Sequence, residues 1–250
     1  MNISFHNGVS GMMAFQEDMN RIAHNVANSG TIGFKPDKST FSDLLYTRMA
    51  VNSEEQPLVG HGARIGDSRL VYRQGPVLQG GTELDFALMG DGFFAVRRPD
   101  GSTEYTRNGS FDISIEGKKG FLVTFDGSHV LDAEGKTIEF EREKADGLFD
   151  LEGLKDRLGI YDFPNPFGLE HSSGSCFVPT QTSGEAVAIV QGETTYEGRQ
   201  YQVFSGALEQ SGVELADEMV GVIVSQRAFQ LNAKMVQTAD ELEQVINNLR

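Results

Sequence analysis

Each end of this chain carries a stripe of apolar residues at heptad spacing, and nothing in the middle matches it. Near the N-terminus Phe5, Val9, Met12, Gln16, Met19, Ala23 and Val26 follow alternating steps of four and three. That spacing puts every member on one side of an α-helix and makes a narrow seam with a polar position at Gln16. Asn28-Ser29-Gly30 follows the last apolar member, and a glycine there supplies the left-handed conformation that commonly closes a helix, so the helix is expected to stop near residue 28. Toward the C-terminus Leu215, Met219, Val222, Gln226, Phe229, Ala233 and Val236 repeat the spacing, and Leu242, Ile246 and Leu249 resume it after a phase slip near Ala239. Ser211-Gly212-Val213-Glu214 ahead of this run fits a capping box, in which Ser211 and Glu214 satisfy each other's backbone donors. One such helix alone is expected to pack on a globular core. Two at opposite ends, each with a glutamine in its seam, predict a coiled-coil pair.

The middle has a different period. From Leu84 to Val130, alternating segments such as Phe93-Phe94-Ala95-Val96 and Phe121-Leu122-Val123-Thr124 are separated by Asp91-Gly92, Asp100-Gly101, Asn108-Gly109, Glu116-Gly117 and Asp126-Gly127. Dipeptides of this kind accept the positive backbone angles of tight hairpin turns, so the region reads as an antiparallel β-meander. The expected fold class is therefore α+β: N- and C-terminal helices pairing as a coiled coil, with a central, mostly antiparallel β domain. Residues 1–35 form the N-terminal helix and its turn, 36–75 an extended connector, 76–212 the β domain and 213–250 the C-terminal helix. Segment 141–175 opens with charge, carries the breaker Pro164-Asn165-Pro166 and has no clear period.

Charge and cysteine content exclude several classes of function. The chain holds 21 Lys+Arg against 36 Asp+Glu, a net charge of -15, which disfavours nucleic acid and polybasic membrane contacts. Of that charge, -12 lies between residues 36 and 212, so the middle is expected to stay solvated while the weakly charged ends pack on other copies. The single cysteine, Cys176, rules out an internal disulfide framework and reads as a small buried side chain. No Lys or Arg precedes Arg21 and no stretch approaches the length of a membrane span. A soluble, cytoplasmic protein is expected on these grounds, without direct membrane insertion, unless it leaves the cell by a route that needs no cleaved signal.

No catalytic, cofactor or metal site is expected. His6, His24, His61, His129 and His171 are scattered, with no pair at metal-ligand spacing. Gly60-His61-Gly62-Ala63-Arg64-Ile65-Gly66 has the wrong spacing for a dinucleotide loop, and the stretches around Ser173-Gly174-Ser175 and Ser183-Gly184 lack the nucleophile-elbow pattern. Acidic pairs are so common in this chain that choosing one for hydrolysis would be arbitrary.

At His24-Asn25-Val26-Ala27-Asn28-Ser29-Gly30-Thr31-Ile32-Gly33-Phe34-Lys35 the sequence closely resembles the signature of the bacterial flagellar rod and hook proteins, an Asn-Leu-Ala-Asn core followed by Thr-x-Gly-Phe-Lys. His24 stands where the family usually has asparagine, and Val26 where it has leucine. Two further blocks agree. Leu84–Val96 with Tyr105-Thr106-Arg107-Asn108-Gly109-Ser110-Phe111 looks like the family's central strand block. Gly206–Val213, Gln226–Gln230 and Val236–Asp240 look like its C-terminal helix region, with Gly212 in place of the usual asparagine.

The resemblance implies a subunit of an axial tube whose terminal helices form an inner layer around an export channel, with the β domain outside. It also implies passage through the flagellar type III export apparatus, which accounts for the missing cleavable signal, and residence in the periplasm-spanning rod. The implied partners are copies of the chain itself and neighbouring rod and hook proteins. The length suits a distal rod subunit best and a proximal one next. The expected assembly interface is Val9, Met12, Met19 and Val26; Asn25, Asn28, Gly33 and Phe34 of the signature; and Met219, Val222, Phe229, Val236 and Leu242. The rival readings are another axial protein, proximal rod or hook, and a coiled-coil binding module that forms a small closed oligomer.

Overall fold

Both terminal stripes fall on helices: α1 (Ile3–Ala27) and α3 (Leu215–Asn248), with a one-turn α2 (Leu154–Arg157) between them in sequence. The computed structural model describes residues 3–48, 58–117, 119–141, 153–189 and 201–249. Contacts divide the chain into two units, one of Met1–Ala27, Asp37–Arg69 and Glu214–Arg250, the other of Asn28–Pro36 and Leu70–Val213. The α+β class expected from the periodicities is the one observed.

In the helical unit α1 ends at Ala27; within the other unit the Thr31 N–H closes a turn on Asn28 O at 3.1 Å. Gly33, at φ 67, is the left-handed residue after this helix end, whereas Gly30 is not. The stretch expected as a connector forms two strand pairs: β1 (Asp37–Asp43) with β4 (Ala63–Leu70), and β2 (Tyr46–Arg48) antiparallel to β3 (Leu58–Gly60). These strands are tied to α1. Asn7 Nδ2 donates to Gly60 O at 3.0 Å, and Phe15 meets Phe41 at 5.2 Å between ring centroids. At Gly62, φ 103, a Cβ would fall 2.0 Å from Ser10 Oγ, so only glycine lets the ribbon approach the helix this closely.

α3 begins three residues later than a capping box at Ser211 would require. Its N-cap is Glu214, with no side-chain cap bond, while Ser211 Oγ accepts from the Val213 N–H at 3.3 Å. The reason lies in the preceding segment, where the Gly212 N–H is bonded to Phe34 O at 2.9 Å and holds 211–213 extended.

The β unit contains β5 (Val77–Gln79), β6 (Phe86–Gly90), β7 (Phe93–Arg97), β8 (Thr103–Thr106), β9 (Phe111–Glu116), β10 (Lys119–Thr124), β11 (His129–Val130), β12 (Glu139–Glu141), β13 (Ile160–Asp162), β14 (Glu170–His171), β15 (Cys176–Val178), β16 (Val187–Ile189), β17 (Tyr201–Ser205) and β18 (Ala207–Glu209). Its main sheet runs β12-β10-β11-β7-β8-β15-β14, with β9 beside β10 and β13 joining β7 to β16, all antiparallel. Hairpins form at β7–β8, β9–β10 and β10–β11, and Gly101, Gly117 and Gly127 take positive φ in their turns.

The simple meander breaks at two places. β6 pairs with β17 instead of β7, and β8 pairs with β15 instead of β9. β7 explains the first break, because it is buried on both faces: Phe93 and Ala95 enter one core cluster, Phe94 and Val96 the other. Its two edges are taken by β8 on one side and by β11 and β13 on the other, which leaves none for β6. The second break falls at Asn108-Gly109, where Gly109 is not a left-handed turn residue. A Cβ there would lie 1.8 Å from Phe86 O, so glycine is needed for close backbone approach. Cys176 is buried in the cluster of Phe94 and Val96, and burial pushes its thiol up to about 11. The part of segment 141–175 from 142 to 152 lies outside the described residues; the remainder contributes α2, β13 and β14.

Gly109→Ala is expected to destabilise the β unit by at least about 3 kcal/mol. Gly117→Ala, also at positive φ (68) but with open space around it, is expected to cost only about 1 kcal/mol. Urea unfolding of the two variants distinguishes a close approach from a turn, and equal losses would show that Gly109 serves only its backbone angles.

Candidate assembly surfaces and the signature cluster

The helices of the first unit meet through small and polar residues. α1 buries Gly8, Gly11, Ala14, Ile22 and Asn25, and α3 buries Ser225 and Ala239. A Cβ on Gly8 would lie 2.7 Å from Val236 Cγ2, one on Gly11 2.8 Å from Asn232 Oδ1, and one on Gly221 3.1 Å from Ile22 Cδ1. Ser225 Oγ donates to Asp18, and Asn25 Nδ2 donates to Glu218 Oε1 at 3.0 Å. Residues of rising number on α1 thus meet residues of falling number on α3, which makes the pair antiparallel. Small side chains at the contact let the axes come close.

This face is offset by one position from the stripe of large residues on α1, and by a similar step over much of α3. Val9, Met12, Met19, Phe229 and Val236 are half-covered, while Val26, Met219, Val222 and Leu242 are exposed. Between Met219 and Val224, Gly221 lies against Ile22 of α1, and Met219, Val220, Val222, Ile223 and Val224 all lie exposed. Met219 is 64% exposed and Leu242 58%. Over this run α3 is apolar all the way round, a pattern found in helices that are buried on every side in their working state.

The signature residues have a different environment. Asn25, 1% exposed, brackets the Asp37 backbone, donating to its carbonyl at 2.8 Å and accepting from its N–H at 3.0 Å. Asn28 Oδ1 accepts from Thr31 Oγ1 at 3.1 Å. The Gly33 N–H donates to Glu209 O at 2.8 Å, and a Cβ on Gly33 would lie 2.6 Å from the Arg107 carbonyl carbon. Phe34 is 4% exposed and stacks on His171 at 5.8 Å. Asn25, Gly33 and Phe34, expected as interface residues, therefore make their contacts inside the subunit.

Beneath Phe34 lies a buried ionic cluster that the motif residues share. Lys35 Nζ donates to Glu209 Oε1 and to Arg73 O, both at 2.6 Å. Arg107 donates to Glu209 Oε2 at 3.2 Å, to Leu88 O at 3.1 Å, to Gly90 O and to the Tyr72 hydroxyl. The Gly75 N–H also reaches Glu209 Oε1, at 2.8 Å. Burial lowers the pKa of Lys35 and pushes that of Arg107 down to about 10, with Glu209 opposing both shifts. Arg107 therefore stays charged near neutral pH. The clue in the sequence was an ionisable residue directly following an apolar or small pair: Lys35 after Gly33-Phe34, Arg107 after Tyr105-Thr106, Glu209 after Ala207-Leu208. A charge that the fold buries needs a partner that only the tertiary structure reveals.

Among the described residues no three His, Cys, Asp or Glu side chains are grouped to hold a metal ion, and no helix is long and apolar enough to cross a membrane.

Gly11→Leu, which places a branched side chain against Asn232, is expected to open the helix pair and leave the β unit intact. Fast amide exchange in α1 with unchanged exchange in β7 checks it. A pH effect follows from Glu218. Burial raises its carboxyl above the ordinary 4.5, the Asn25 bond opposes this, Asp18 and Asp217 add to the rise and Lys38 opposes it. The paired helices thus bind this proton more tightly than separated ones. The resulting stabilisation is full below 4.5 and is lost as pH rises through the folded value. Protection of α1 amides is expected to rise as pH is lowered, and to rise less in Glu218→Gln; identical profiles would remove Glu218 as the cause.

Two family models match the chain. The C-terminal model of the flagellar basal body rod FlgEFG proteins covers residues 205–249, and the D1-domain model of the flagellar hook protein FlgE/F/G covers residues 87–153. The flagellar basal-body rod protein FlgG of Bacillus subtilis is 34% identical over 267 residues, spanning 99% of this chain and 98% of its own length. FlgG of Borreliella burgdorferi is also 34% identical, spanning 96% of each chain. The rod protein FlgF of Mesorhizobium japonicum is 30% identical, spanning 100% of this chain and 98% of its own. Those spans take in the paired helices, the sheet and all three segments of the ionic cluster, and on them the chain belongs to the family of bacterial flagellar basal-body rod proteins.

Proposed function

We propose that the chain is a structural subunit of the distal rod of the flagellar basal body, self-assembling through its terminal helices into a helical tube. The carrying observation is the run Met219–Val224, where α3 is apolar on every side and Met219, Val220, Val222, Ile223 and Val224 lie exposed while Gly221 packs against Ile22 of α1. Burying a large apolar side chain contributes roughly 1.5–3 kcal/mol, so a few such residues decide between monomer and polymer. Repeating one heterologous contact without closure produces an open helical assembly. Its role is geometry and stiffness: a rod that transmits torque and encloses an export channel, and the protein is not an enzyme. The partners are copies of the chain, neighbouring rod and hook proteins and the type III export apparatus; the site of action is the periplasm-spanning rod. Similarity to FlgG proteins along nearly the whole chain supports the distal position over the proximal one.

Among the expected interface residues, Val9, Met12, Met19, Val26, Met219, Val222, Phe229, Val236 and Leu242 remain in the proposed surface, with Ile223 and Val224 added beside them. Met219→Asp is expected to leave the melting temperature within about 2 °C, since the side chain has little to lose in the monomer. It is expected to abolish concentration-dependent growth in sedimentation velocity, and growth at the wild-type rate would refute the surface. A single discrete oligomer of the wild type at every concentration would instead favour a closed coiled-coil module.

A further inference from the structure

Lys35, Arg107 and Glu209 place two cations on one carboxylate, with all three side chains at most 1% exposed. Lys35 lies 174 positions from Glu209 in sequence, and Arg107 lies 102 from it. The two cations are not equally dependent on the carboxylate. Arg107 also donates to Leu88 O, Gly90 O and the Tyr72 hydroxyl, and its guanidinium lies over the Tyr72 and Phe93 rings at 5.0 and 5.5 Å. Lys35 Nζ has Arg73 O and the Tyr72 ring at 5.4 Å, and its anionic partner among the described residues is Glu209.

An Arg107–Glu209 pair can therefore form without Lys35, and Lys35 joins it as a surplus cation. Without Glu209 the docked segment 28–36 would bury the Lys35 ammonium beside the Arg107 guanidinium, with the buried Asp162 still acting on Arg107 but no carboxylate acting on Lys35. That penalty acts directly against the burial of Phe34 and the bonds of Gly33 and Gly212. Those two bonds also need residues 209–212, because Gly33 donates to Glu209 O and Gly212 donates to Phe34 O.

We infer that segment 28–36 is a conditional strap, which closes on the β unit only after β18 has brought Glu209 to Arg107, and which stays open in a chain whose 207–212 segment is not yet in place. The signature, although near the start of the chain, is then the last part of the β unit to close. Until that moment its Gly33-Phe34-Lys35 backbone and side chains remain accessible.

Hydrogen exchange read by mass spectrometry on the full chain tests this with the wild type, Glu209→Gln and Lys35→Met/Glu209→Gln. Glutamine keeps the shape and removes the charge. In Glu209→Gln, exchange in 28–36 is expected to rise at least about tenfold while β7 and β10 stay as in the wild type. In the double variant the cation is gone as well, and protection of 28–36 is expected to return to within about threefold of the wild type. The strap is overturned if Glu209→Gln leaves 28–36 as protected as the wild type, or if β7 and β10 lose protection with it. It is equally overturned if the double variant is as open as the single one, because the unpaired charge would then not be what holds the segment off.

Discussion

Glu209 holds one carboxylate between Lys35 Nζ at 2.6 Å and the Arg107 guanidinium at 3.2 Å, out of reach of water. Four separate pieces of chain close around it: 33–35 after α1, 73–75 before β5, Arg107 after β8 and 209–212 before α3. In a low-dielectric interior a charge without its partner is among the most costly defects a fold can carry, so these segments are bound to one another's presence. Backbone bonds then follow the side chains, with Gly33 on Glu209 O, Gly212 on Phe34 O and Gln210 on Pro76 O. Gly33 accepts the positive φ and the tight approach to Arg107 that this packing demands. Motif blocks that look independent along the chain are one interaction in space.

The helical unit is organised by a different constraint. α1 and α3 each carry two faces, one of small residues and one of large. Between themselves the helices use Gly8, Gly11, Gly221 and Ser225, supplemented by the Asp18–Ser225 and Asn25–Glu218 bonds. Ile22 and Val236 fit between the helices because glycines face them, and most of the other large residues stay outside, where a close backbone approach cannot accommodate them. A subunit folded this way keeps its internal helix pairing and its assembly surface on largely separate residues, with Val236, which packs on Gly8, shared between them. Substitutions on the exposed face can then act on assembly with little effect on the fold. The Glu218 carboxyl at the pair, raised by burial, also makes its stability responsive to pH in a way an all-apolar seam would not be.

The periodicities placed the helices well. The α1 end near residue 28, the α3 run and the strands from Phe86 to Val130 all follow from period and turn chemistry, because those are local properties. Local rules were less reliable where long-range partners intervened. The capping box at Ser211 is absent because Gly212 is bonded to Phe34, some 180 positions away. The meander is broken because both edges of β7 are occupied. Gly30 was the nearest glycine to the helix end, yet Gly33 takes the left-handed angle because Arg107 and Glu209 pack against it.

By itself the sequence determined the α+β class, the two terminal helices, the family and the presence of large apolar stripes at both ends. Those features depend on spacing along the chain, which is visible in one dimension. Tertiary structure decided which helix face is buried in the subunit and which remains for a neighbour, since that choice depends on how closely two backbones can approach. It also decided that Lys35, Arg107 and Glu209 meet, and that Phe34 lies inside. Pairing a buried charge is a long-range requirement, and no spacing along the chain records which distant residue meets it.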